Sequence, residues 1–170
     1  NAILPEKPGL ILLPKTGSAQ DVQEADAYIS EVEASLGMEP NTVGLMPLIE
    51  TALGVENAFA IASASKRVQA LFLGAEDLTA DLRCQRTKEG REIEYARTRL
   101  VVAARAANVD VYDTPFTDVN DDEGIWTDAR LAKALGFTGK ASISPRHVDV
   151  INQVFSPTQK EVDYAYEVMD

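Results

Sequence analysis

The stretch LFLGAEDLTADL (71–82) changes character within a few residues. Leu71, Phe72, Leu73 and Gly74 suit a buried strand, and Glu76, Asp77 and Asp81 follow directly. A charge taken out of water without a partner costs several kcal/mol, so these acids either reach solvent or face something positive. Functional groups at the carboxyl ends of strands belong to parallel α/β folds, and the rest of the chain repeats the theme.

The strand ending at Gly74 begins as VQALFLG (68–74). Four other apolar runs accompany it: GLILLPK (9–15), TVGLMPLIE (42–50), VDVYDT (109–114) and GKASISP (139–145). Each run is continuous rather than alternating, which marks strands covered on both faces. Helical patterns fill the gaps. Ser18 and Asp21 make a capping pair ahead of Val22, Ala25, Ile29, Val32 and Leu36, with Gly37 as the stop. Thr87 is placed to cap a long helix whose stripe includes Ile93, Ala96, Leu100, Ala103, Ala104 and Ala107. Ile125, Ala129, Ala132 and Leu135 form another stripe, ended by Gly136, and Ser156-Pro157 opens the last helix. Strands alternating with helices predict a parallel sheet with right-handed crossovers. The length of 170 residues favours an open five-stranded sheet, since a (β/α)8 barrel needs ~250. Acids at the strand ends favour the barrel.

Composition narrows the function. A formal charge of −11 argues against a nucleic-acid partner, because phosphate contacts need a basic face. No apolar run approaches the ~18 residues of a membrane span, and no signal-peptide pattern opens the sequence. The single cysteine, Cys84, cannot form an internal disulfide, so a reducing, cytoplasmic setting is expected. The single histidine, His147, excludes a histidine-rich metal cluster.

Two strand ends carry acids directly. Glu50 follows LMPLI and Asp77 follows LFLGAE, on consecutive strands. Oxygen ligands converging in this way suit Mg2+ completed by water and substrate oxygens. Equally, each acid is explained by the positive end of the helix that follows. The GAED turn also offers closely spaced backbone N–H groups that can hold a carboxylate or phosphate, and Gly74 lets the backbone come near a ligand. No Walker loop and no G-x-G-x-x-G fingerprint occurs. The acids of DTPFTDVNDDEG (113–124) do not match the calcium-loop order, and they predict a solvated loop with Asp121 or Asp122 starting the next helix. Lys15, ending the first strand, is placed to meet an anionic substrate or simply water. Arg83, Arg86 and Lys88 offer an anionic cofactor tail a contact, or form a solvated surface.

The blocks LPKTGSAQDV (13–22), LMPLIETALGV (45–55), LFLGAEDLTADL (71–82), YARTRLVVAARAANVDVYDTPFTDVND (95–121) and GFTGKASISPRHVDVINQVFSPTQKEVDYA (136–165) together resemble the citrate lyase beta-subunit family. That family lies in the superfamily of 2-keto-acid aldolases and malyl-CoA lyases. The resemblance implies a TIM (β/α)8-type barrel with only strands four to eight and their helices represented, so that residues 1–170 are a partial barrel domain. It implies Glu50 and Asp77 as Mg2+ ligands, and the backbone around Gly74, Ala75, Glu76 and Asp77 as the cradle of a 2-keto acid, with Lys15 nearby. The implied activity is Mg2+-dependent cleavage of a C–C bond in a 3-hydroxyacyl thioester, carried on coenzyme A or an acyl-carrier protein, releasing a 2-keto acid and an acyl thioester. A thioester hydrolase of the same fold and a non-catalytic assembly subunit are the alternatives. The sequence departs from the family at Gly17, where a glutamate is common, and at Ser144, where a histidine is. The first three strands and the C-terminal lid of the family have no counterpart. A longer polypeptide or other chains are therefore expected to complete the barrel, since exposed parallel edges favour aggregation. Family resemblance and open edges also favour assembly, as a homo-oligomer (trimer or hexamer) or with other lyase subunits.

Overall fold

In a computed structural model, residues 3–169 are described. Five strands form one sheet in the order β1-β2-β3-β4-β5. They are β1 (Leu10–Leu13), β2 (Gly44–Ile49), β3 (Ala70–Leu73), β4 (Asp110–Asp113) and β5 (Gly139–Lys140). Every neighbouring pair is parallel. The helices are α1 (Ala19–Ser35), α2 (Ala52–Glu56), α3 (Ala58–Ala62), α4 (Ala75–Asp81), α5 (Glu94–Ala107), α6 (Asp122–Leu135), α7 (Pro145–Phe155) and α8 (Gln159–Met169). No helix among the described residues is long and apolar enough to cross a membrane.

Alternation of side chains along each strand decides where the core sits. Leu45, Ile49, Leu71, Leu73 and Val111 are buried with Ile61, Ile93, Leu100 and Ala104 of the helices. Each such Leu, Ile or Val side chain stabilises the fold by roughly 1.5–3 kcal/mol. The opposite strand positions hold Leu12, Leu48, Phe72 and Tyr112. Leu12 is 41% exposed and Tyr112 36%, so the second face of the sheet is apolar and only partly covered.

The pairing of β2 with β3 contains a slip. Leu45 bridges Val68, just before β3, whereas Leu48 pairs with Phe72, so the segment leading into β3 holds one residue more than β2 over that interval. Pro47 lies within it and has no N–H to donate to a ladder. The extra residue is a β-bulge.

Local chemistry explains most helix boundaries. Ser18 and Asp21 form a reciprocal capping box at the start of α1. Asp121 caps α6 through Gly124 N, and Gly136, at φ 103°, ends it. Two expectations are corrected. Thr87 does not cap the long helix; its N and Oγ1 bond Glu92, Gly90 adopts φ 68°, and α5 begins only at Glu94 after a 3-10 turn. The GKASISP strand is only two residues long, because Ser144 caps a further helix with Pro145 in its first turn.

The amino-terminal ends of β2 and β3 are clamped to α1 by Arg67. Its guanidinium donates to Glu33, Asp26, Ser30 and the Val43 carbonyl. Arg67 is 2% exposed and Glu33 1%. At this end of a parallel barrel such a network serves stability rather than chemistry.

Candidate metal and keto-acid site

At the opposite end, Glu50 follows β2 and is buried. Lys15, just past β1, adopts a left-handed backbone at φ 50°, a conformation that costs an ordinary residue about 1–3 kcal/mol. The turn aims the Lys15 N–H at Glu50 Oε1, 2.7 Å away. Thr16 N donates to the Leu48 carbonyl, and Thr16 Oγ1 to that of Leu13, fixing the turn against β2. Glu50 Oε2 has no protein donor among the described residues. Beside it stands Gly74: a Cβ there would lie 2.8 Å from Glu50 Cβ and 3.0 Å from Oε2. Glycine is required here by close approach rather than by backbone angle.

Asp77 lies in the first turn of α4, and its Oδ2 is 3.5 Å from Lys15 Nζ. One lysine thus touches both acids, Glu50 through its backbone and Asp77 through its ammonium. Both groups of that ion pair are more than half exposed, so its contribution to stability is small. The carboxylate of Glu76 turns the other way, 3.5 Å from Arg86 Nε.

The amides of the GAED turn differ from expectation. Gly74 N donates to the Ile49 carbonyl at 2.9 Å and Ala75 N to Thr114 Oγ1 at 3.2 Å. Those two are engaged within the protein. The N–H groups of Glu76 and Asp77, in the first turn of α4, are the ones a helix leaves without an internal partner. Asp81 is more than surface decoration: its Oδ2 accepts from Ala52 N at 2.8 Å, tying α4 to the start of α2.

Among the described residues no group of three or more His, Cys, Asp or Glu side chains is placed to hold a metal ion. The candidate donors are the pair Glu50 and Asp77. Mg2+ is commonly held by one or two carboxylates and completed by water and substrate, so two carboxylates with one unsatisfied oxygen fit that cation. Lys15 reaches an acid and remains largely exposed. Arg86 is tied to Glu92 and Lys88 to Asp118 and Asp121, whereas Arg83 and Cys84 are exposed. Ser144 acts as the cap of α7, and a side chain at Gly17 would meet nothing nearer than Leu53 Cδ2 at 3.6 Å.

A second cluster, unnoticed in the sequence, lies under the carboxyl ends of β4 and β5. Asp113 accepts from Arg97 Nε at 3.0 Å, Arg97 Nη2 at 2.8 Å and Lys140 Nζ at 2.7 Å. Asp128 accepts from Arg97 Nη2 at 2.7 Å, and its Oδ2 lies 2.5 Å from Lys140 Nζ without hydrogen-bond alignment. Burial pushes the Asp128 carboxyl up, but Lys140 and Arg97 outweigh it and hold it below the ordinary range. All four residues are buried. Their signal was charge on an apolar stripe: Arg97 sits between Ile93 and Leu100, and Asp128 between Ile125 and Ala132.

The profile of the HpcH/HpaI aldolase/citrate lyase family matches residues 1–145. The chain is 42% identical over 161 residues to citrate lyase subunit beta of Escherichia coli, covering 95% of this chain and 53% of that protein. It is 35% identical to the L-malyl-CoA/beta-methylmalyl-CoA lyase of Cereibacter sphaeroides, covering 94% of this chain and 55% of that one. Among solved structures, the citrate lyase beta subunit of M. tuberculosis complexed with oxaloacetate and magnesium superposes with a TM-score of 0.72 at 30% identity, over 88% of this chain and 62% of that one. The chain spans about half the length of the curated relatives it matches. Motif order, an all-parallel sheet of successive β/α units and these matches agree: the chain belongs to the HpcH/HpaI aldolase/citrate lyase family.

Proposed function

We propose that this chain supplies the metal and keto-acid portion of a Mg2+-dependent C–C lyase acting on 3-hydroxyacyl thioesters of the citryl, malyl or citramalyl type. The observation that carries the proposal is Glu50: a buried carboxylate with one oxygen fixed by Lys15 N and the other facing the space that Gly74 keeps open. Glu50 and Asp77 would hold the metal. When bound, Mg2+ supplies Lewis-acid polarisation of the substrate's hydroxyl and ketone oxygens. The Lys15 N–H orients Glu50, and the Lys15 ammonium balances charge at Asp77. Gly74 and Ala75 shape the wall of the site, and the amides of Glu76 and Asp77 are left to meet the carboxylate of a keto acid. The magnesium and oxaloacetate of the M. tuberculosis relative support this assignment.

The sheet supports a second part of the proposal, that these residues are five units of an eight-stranded barrel. Strands β1 and β5 each have one neighbour, and the face bearing Leu12, Phe72 and Tyr112 is only partly covered. Strands from a longer polypeptide or other chains would cover it, and assembly into a homo-oligomer or with other lyase subunits follows the same logic.

The test is keto-acid release from citryl-, malyl- and citramalyl-CoA, and from the acyl-carrier-protein thioester, with Mg2+ in the complete protein. Glu50→Gln is expected to lower turnover by at least about a hundredfold. Turnover insensitive to both chelator and this substitution would defeat the assignment. Free thiol without keto acid would indicate a thioester hydrolase, and absence of both metal binding and turnover a structural subunit.

A further inference from the structure

The register of β3 with β4 ends at Phe72 and Tyr112. Beyond it, the tie from Ala75 N to Thr114 Oγ1 joins the two strand ends. Thr114 is 1% exposed, and its carbonyl accepts from Lys140 Nζ at 2.6 Å. The Asp113 carbonyl accepts from Ala141 N at 3.0 Å, so the end of β4 is held from the β5 side through two successive residues. Lys140 is held in turn by Asp113 and Asp128, which share Arg97. A continuous chain therefore runs from the buried charge cluster, through Thr114, to the first residue of α4, two positions before Asp77. Among the described residues Asp77 has no comparable anchor of its own: its ion pair with Lys15 is exposed on both sides.

The geometry points to Thr114 as a positioning residue for Asp77, with Arg97, Asp113, Asp128 and Lys140 as the rigid base on which it stands. The inference rests on the metal reading above for its consequence, but not for its geometry. A buried hydroxyl accepting an N–H restrains the turn more firmly than a solvent-screened surface ion pair typically does. Thr114→Val keeps the shape and removes the acceptor, and Thr114→Ser restores it.

Two readouts on the intact protein separate the outcomes: amide hydrogen exchange over residues 73–78, and affinity for Mn2+ by calorimetry. In Thr114→Val, exchange at Ala75 should rise about five- to tenfold, and Mn2+ should bind several-fold more weakly. Helices α5 and α6 should keep their protection, and Thr114→Ser should recover both values. Unchanged exchange at Ala75 would overturn the proposed tie. Faster exchange with unaltered Mn2+ affinity would overturn the positioning role, and so would a loss of protection spreading through α5 and α6. If the unsubstituted protein binds no Mn2+, the metal reading fails, and exchange at Ala75 alone decides whether Thr114 holds the turn.

Discussion

Replacing Glu33 with glutamine probes the clamp at the amino-terminal end of the sheet. The Glu33 carboxylate accepts four bonds: from Val43 N at 3.0 Å and Arg67 Nη1 at 2.8 Å on one oxygen, and from Asn41 N at 3.1 Å and Arg67 Nη2 at 2.5 Å on the other. The bonds from Arg67 lead, and against the opposing effect of burial they bring the carboxyl from 4.5 to about 2. At about 1.36 kcal/mol per unit this depression corresponds to about 3 kcal/mol of stability. An independent figure, about 3–5 kcal/mol for removing one member of a buried ion pair, falls in the same range. The folded-state value is the lower of the two, so the stabilisation is fully present above the unfolded value of 4.5 and is lost as pH falls towards about 2. Urea unfolding over a pH series measures it. Near about pH 7 the parent should exceed Glu33→Gln by about 3 kcal/mol, and the gap should narrow steadily below about pH 5. A gap below about 1 kcal/mol at neutral pH, or one of constant size down to about pH 3, would refute the reasoning.

Gly74→Ala puts a methyl 2.8 Å from Glu50 Cβ, where ordinary contact is about 3.5–4.0 Å. Glu50 must retreat, at a cost of about 1–3 kcal/mol, and Mn2+ affinity measured by calorimetry should fall about tenfold; unaltered affinity would show that Gly74 does not shape the site. Arg97→Met leaves Asp113 and Asp128 sharing Lys140 alone, and chemical denaturation should show a loss of about 3–5 kcal/mol. A change within about 0.5 kcal/mol would mean that the cluster is not a structural base.

The sequence reveals the architecture better than it reveals the partnerships. Continuous apolar runs located β1 to β4, because a sheet with two apolar faces leaves a mark in composition even where one face is only partly covered. β5 was overestimated, since Ser144-Pro145 is a helix start that reads equally as a strand end. Glu50 and Asp77 stood out because an acid directly after an apolar run conflicts with burial. The engaged amides of Gly74 and Ala75 could not be read, because their acceptors, Ile49 and Thr114, lie on other strands. Arg97, Asp128 and Glu33 were legible in principle: each occupies an apolar helical stripe, where a charge demands an opposite partner. Pairing them required knowing which helices meet which strands.

The bulge opposite Pro47 reaches further than the ladder it interrupts. Side chains alternate along a strand, so one additional residue exchanges the two faces for everything downstream. Past it, Phe72 and Gly74 share a face with Leu48 and Glu50. Were the same residues paired one-to-one from Leu45 and Val68 without the bulge, Leu48 would meet Leu71 and Glu50 would meet Leu73, filling the opening with an isobutyl group. Every acid, glycine and threonine of the site would still be encoded, in the same order, and the pocket would be shut. Parity, set more than a strand's length away from Asp77, is therefore as much a determinant of the proposed site as the identity of its candidate ligands.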